Sequence, residues 1–106
     1  MLGFVTIGTN NLLESSKFYD AILSPFGIVK VSTTERYIGY AKKNSPEKIK
    51  FYIIKPYNKE YATNGNGTMI ALSTKSKDSV DQFHAIALDK GGVNEGLPGL
   101  RSDNNY

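Results

Sequence analysis

An α+β fold made of two copies of a strand-and-helix module is what this sequence predicts, and three observations carry the prediction. Leu2 to Gly8 alternates, is rich in β-branched residues, and runs directly into a helix-start signal at Asn10-Asn11. Three short β-prone runs follow that helix. The strand-helix pattern then restarts near Thr68, and a shift of 65 positions lays the second copy on the first without a gap.

The elements follow in order. In Asn11-Leu12-Leu13-Glu14 a capping residue stands three positions before a glutamate, the arrangement that satisfies the first free amides of a helix. Leu12, Tyr19, Ile22, Leu23 and Phe26 recur at helical spacing and supply an apolar stripe, and Pro25 with Gly27 stops the helix near Ser24. Ile28 to Thr33, Arg36 to Ala41 and Ile49 to Lys55 read as strands of an antiparallel meander, separated by Thr34-Glu35 and by the turn signal Asn44-Ser45-Pro46. The polar stretch 56–66, with Asn64-Gly65 and Asn66-Gly67, reads as a linker loop between a first module at 1–55 and a second at 67–106.

Thr68 to Thr74 then reads as a strand, and Ser76 or Asp78 as the cap of a second helix. Val80, Phe83, Ala87 and Leu88 form that helix's stripe, and Gly91-Gly92 can end it in left-handed geometry. The 65-residue shift pairs Val5 with Ile70, Ile7 with Leu72, Phe18 with Phe83, Leu23 with Leu88 and Gly27 with Gly92, so strand phase, helix phase and both helix-ending glycines are kept. The first copy has 28 residues, Ile28 to Lys55, for its three later strands, and the second has 14, Val93 to Tyr106. The second module is therefore incomplete: either the chain is part of a longer one, or another subunit completes its sheet.

Composition narrows the chemistry. A chain of 106 residues with 40% apolar content supports one modest domain. No apolar run nears the ~18 residues of a membrane span, and the first residues lack the basic leader of a signal peptide, so a cytoplasmic protein without a membrane partner is expected. The absence of cysteine excludes disulfides, thiolate metal sites and a cysteine nucleophile. The net charge of +3 is spread among acids from Lys17 to Lys90, which argues for a solvated surface and against nucleic-acid binding. His84 is the single histidine, and no carboxylate pair, nucleophile elbow or phosphate loop is present, so no catalytic residue is assigned.

Phe4-Val5-Thr6-Ile7-Gly8-Thr9-Asn10-Asn11-Leu12, then Ser15, Phe18-Tyr19, Leu23 and Gly27, resemble the opening strand and first helix of the vicinal-oxygen-chelate superfamily, which includes glyoxalases (lactoylglutathione lyases), bleomycin-resistance proteins and extradiol dioxygenases. Gly67-Thr68-Met69-Ile70-Ala71-Leu72 resembles its second-module strand. Gly91-Gly92 and Leu97-Pro98-Gly99-Leu100-Arg101 resemble the connection after its second helix. The resemblance implies duplicated βαβββ modules forming a cupped mixed sheet. It also implies, in the metalloenzymes, four His, Glu or Gln ligands around one divalent ion, two from each module.

Carried onto this chain, those positions fall on Phe4, at or near Phe51, on Met69, and near position 116, beyond the last residue. Two phenyl rings and a thioether offer no hard donor, so no family-type metal and no other cofactor is expected. These side chains are read either as apolar filling or as ligand contacts. Alternation places Arg36, Ile38 and Tyr40 on one face of their strand and Tyr37 and Gly39 on the other, and in the next strand it sets Phe51 and Ile53 against Tyr52 and Ile54. The resemblance marks the face of Phe51 as the cupped one. The expected cavity residues are Phe4, Thr6, Tyr40, Phe51 and Met69, with Arg101 near the mouth for an anionic ligand.

Three functions fit. The first is a metal-independent small-molecule-binding protein of the glyoxalase/bleomycin-resistance type, with a small hydrophobic or aromatic molecule in its cup and a homodimer completing the sheets. The second is a divergent metal-dependent lyase, lactoylglutathione lyase-like, or a dioxygenase. The third is a non-catalytic dimeric scaffold protein.

Overall fold

The computed structural model describes residues 2–99. These form two compact units, one running up to Met69 and one from Ile70 onward. The first is a complete strand-helix-three-strand module: β1 (Val5–Gly8), α1 (Leu12–Leu23), β2 (Ile28–Thr33), β3 (Tyr37–Lys42) and β4 (Phe51–Ile54). The four strands make one mixed sheet in the order β1-β4-β3-β2. The meander β2-β3-β4 is antiparallel, and β1 joins it parallel to β4.

Helix α1 begins as its sequence dictates. Asn11 is in extended geometry and its Oδ1 accepts the Glu14 amide at 3.0 Å, while Glu14 places negative charge in the first turn. One 3-10 turn, Ser24–Phe26, follows, and Gly27 at φ 74° ends it, a conformation that a Cβ would oppose. Ile22 and Leu23 of α1 bury against Ile38 and Tyr40 of β3 and Ile53 of β4. Each such aliphatic side chain contributes about 1.5–3 kcal/mol when removed from water.

Residues 56–66, expected as a linker between modules, lie within the first unit and are fastened to the end of β1. The Asn10 side chain donates to the Ala62 carbonyl at 3.0 Å and accepts the Ala62 amide at 2.7 Å, replacing the backbone partner a strand would have given that residue.

In the second unit, α2 (Lys77–Asp89) is capped by Ser76, whose hydroxyl accepts the Ser79 amide at 3.1 Å. Gly91 leaves the helix at φ 110°, and the Gly92 amide returns to the Ala87 carbonyl at 2.7 Å, so the paired glycines end the helix as expected. Val80, Phe83 and Ala87 are half-buried and Leu88 is exposed. Thr68–Thr74, expected as a strand, is not one. A strand exists only as one side of a ladder, and among the described residues this segment has no ladder partner; its alternating apolar side chains stand exposed, Met69 at 87%. No helix among the described residues is long and apolar enough to cross a membrane.

Candidate functional site

Register decides which side chains share a face. Val5 pairs with Phe51 and Thr6 with Tyr52, while Tyr40 pairs with Phe51 and Gly39 with Tyr52. One face therefore carries Val5, Ile7, Ile38, Tyr40, Phe51 and Ile53, and the other carries Thr6, Gly8, Tyr37, Gly39, Tyr52 and Ile54.

Helix α1 covers the first of these faces. Tyr40, 1% exposed, donates its hydroxyl to Asp20 Oδ1 at 2.9 Å and lies 3.4 Å from the Ser16 carbonyl. Asp20 is also paired with Lys30 at 3.3 Å. Burial, then the hydrogen bond to Asp20 and its negative charge, push the Tyr40 hydroxyl well above the ordinary phenol range, and burial alone raises Tyr19. The Phe51 ring packs between Tyr19 at 5.1 Å and Tyr40 at 5.8 Å. The expectation that Tyr40 and Phe51 line the cup is thus corrected: both lie beneath α1, because Phe51 is in register with Val5 and so faces away from Thr6 and Tyr52.

The second face is open and aromatic. Phe4, 57% exposed, meets Tyr52 edge-to-face at 5.2 Å and 74°, and Tyr52 meets Tyr37 at 5.4 Å and 83°. The ring quadrupoles favour this geometry. Gly39 makes it possible, since a Cβ there would stand 3.0 Å from Tyr52 Cε1 and 3.1 Å from the Ile49 side chain. Thr6 is exposed on the same face beside Tyr52. Thr6, with Phe4 beside Tyr52, is therefore on the face opposite Phe51, and not with it as the sequence suggested.

At the end of this face a pocket of about 410 Å³ is floored by Thr6 and Ile54 and walled by Arg36, Tyr57, Glu60 and Tyr61. The Arg36 guanidinium carbon lies 5.0 Å from the centre of the Tyr57 ring, a cation–π contact. A hollow of about 460 Å³ beside the start of α1 has no aromatic lining and shares none of these residues.

Met69 stands at the end of the first unit, outside any strand, and Arg101 lies outside the described residues. Tyr37, Tyr52, Arg36 and Tyr57 were not among the expected cavity residues. Register with Thr6 brings in Tyr52 and, through Gly39 and Tyr52, Tyr37. The positions corresponding to the metal donors of the resembling enzymes do not fit a divalent ion. Phe4 just before β1, Phe51 on β4 and Met69 bring neither a carboxylate nor an imidazole. Among the described residues no three His, Asp or Glu side chains come together. The lone His84 lies in the second unit, where its Nε2 is 3.1 Å from the Gly96 carbonyl.

No protein-family model matches the chain, and no curated protein does. Among solved structures, a glyoxalase/bleomycin resistance protein from Albidiferax ferrireducens T118 superposes with a TM-score of 0.81 at 36% identity, over 93% of this chain and 79% of that one. Identity at that level across nearly the whole chain, on a module whose strand order, helix caps and parallel β1-β4 closure follow from its own residues, is the mark of common descent. The chain belongs to the glyoxalase/bleomycin resistance protein family, within the vicinal-oxygen-chelate superfamily.

Proposed function

We propose that this protein binds a small hydrophobic or aromatic molecule on the open face of its sheet, without a metal ion, as a cytoplasmic homodimer. One observation carries the reading. The open face holds a continuous chain of rings, Phe4 to Tyr52 to Tyr37, which offers apolar area and π-faces rather than lone pairs. The dimer rests on two exposed features that a second copy would cover: β1, an edge strand of its sheet, and the unpaired apolar segment 68–74.

Native mass spectrometry of gently purified protein tests this in one experiment. The expected result is a dimer of 11.7 kDa chains without metal, carrying an organic adduct whose mass identifies the ligand class. A stoichiometric divalent metal would overturn it in favour of a lyase or dioxygenase. A dimer that neither retains nor takes up any aromatic probe would make it a scaffold.

A further inference from the structure

The ring chain on the open face runs into the pocket of Thr6, Ile54, Arg36, Tyr57, Glu60 and Tyr61. At about 410 Å³ the pocket is of small-molecule size. Its outer wall is a held structure, because Asn10 grips Ala62 through both ends of its amide. Arg36 is the one cation in the lining. Among the described residues it has no carboxylate partner, and it is steadied by the Tyr57 ring at 5.0 Å. A guanidinium stacked on a ring keeps its N–H fork available for a planar anion. Glu60 lines the same pocket without pairing with Arg36, so the lining carries one charge of each sign. That balance accepts a monoanion at Arg36 and opposes a dianion such as a phosphate monoester.

We infer that the ligand is an aromatic carboxylic acid, with its ring on Tyr52 and Tyr37 and its carboxylate on Arg36 at the end of the face. This rests on the reading of the open face as an aromatic binding surface and adds the charge and the direction of what binds there. Thr6, which lines the pocket beside Tyr52, can donate its hydroxyl to the second carboxylate oxygen.

The test uses 1-naphthoate and its neutral counterpart 1-naphthalenemethanol as probes, titrated calorimetrically into the full chain, with amide NMR shifts locating the contact. Wild type is expected to bind the acid about tenfold more tightly than the alcohol, the scale of one charge-assisted hydrogen bond. R36Q should bring the acid down to the alcohol's affinity and leave the alcohol unchanged. E60Q should tighten the acid alone, and Tyr52→Leu should weaken both probes. Arg36 is exposed, and its carbonyl, which accepts the Lys55 amide at 2.9 Å, is kept in R36Q, so dispersed amide spectra are expected for that variant. Equal affinity of acid and alcohol, or acid binding unaffected by R36Q, overturns the carboxylate assignment. The aromatic surface still stands if Tyr52→Leu weakens the alcohol. Absence of binding by either probe at millimolar concentration, or shifts confined to residues away from Thr6, Tyr52 and Ile54, overturns both.

Discussion

Replacing Tyr40 by Phe removes a single oxygen from beneath α1 and asks whether this tyrosine belongs to the scaffold or to the ligand. The hydroxyl donates to Asp20 Oδ1 at 2.9 Å in a site where Tyr40 is 1% exposed, so the bond is shielded and its acceptor charged. Hydrogen bonds to charged groups contribute about 1.5–3 kcal/mol. Asp20 itself is 44% exposed and keeps Lys30 at 3.3 Å, so water and lysine replace part of what is lost, and the expected cost is about 1–2 kcal/mol. In a domain of this size that lowers the melting temperature by roughly 4–8 °C per kcal/mol. Urea unfolding of wild type, Y40F, D20A and the double variant gives the coupling directly, expected near 1 kcal/mol. Naphthoate affinity should be unchanged in Y40F, because the side chain is on the face opposite Thr6 and Tyr52. Additive losses in the cycle, or a stable Y40F with weakened binding, would refute the assignment of faces.

Alkaline pH probes the same hydroxyl. Its folded pKa is raised above the ordinary value near 10, so its contribution is fully present below pH 10 and is lost as pH rises beyond it; urea midpoints should fall above pH 10 less steeply in Y40F than in wild type. Asn10→Ala removes both hydrogen bonds that hold Ala62, at about 1–2 kcal/mol, and should speed hydrogen exchange at the Ala62 amide while leaving α1 protected. Gly39→Ala would set a Cβ at 3.0 Å from Tyr52 and 3.1 Å from Ile49; overpacking of that order costs about 1–3 kcal/mol, and displacement of the Tyr52 ring should weaken both naphthyl probes. Asn11→Ala removes the α1 cap and should cost about 1 kcal/mol without altering binding.

The parts of the fold legible in the sequence are those set by neighbours along the chain. Asn11 and Glu14 announce the start of α1, Gly27 its end, and Ser76 with Gly91-Gly92 bracket α2, because capping and left-handed geometry are local demands. Alternation within each strand is equally local, and Tyr37 with Gly39 does oppose Ile38 with Tyr40. What alternation does not contain is the phase of one strand against the next or the face that a helix covers. Phe4 and Phe51 look equivalent as apolar residues of first and last strands. The ladder pairs Phe51 with Val5, one residue along, and a one-residue step exchanges the faces. Segment 68–74 fails for a related reason: its pattern is that of a strand, but a pattern does not supply a ladder partner.

Tyr40 and Tyr52 show how much follows from that step. Both stand on adjacent strands and carry the same phenol. Tyr40, turned to α1, is fixed by Asp20 and buried. Tyr52, turned the other way, lies over Gly39 between Phe4 and Tyr37. Edge-to-face packing uses ring edges for contact among the three and leaves part of their surface to the open side. Such a surface favours flat, uncharged matter and gives no stabilisation to an anion. A ligand that carries negative charge must therefore place it beyond the rings, and the cation of the adjoining pocket is Arg36, held on Tyr57 at the end of the sheet. The separation of an apolar ring surface from a cationic end gives the site a direction. A metal-centred cup would instead draw the ligand's oxygens to its middle, so the orientation of a bound aryl acid separates the two arrangements within one fold.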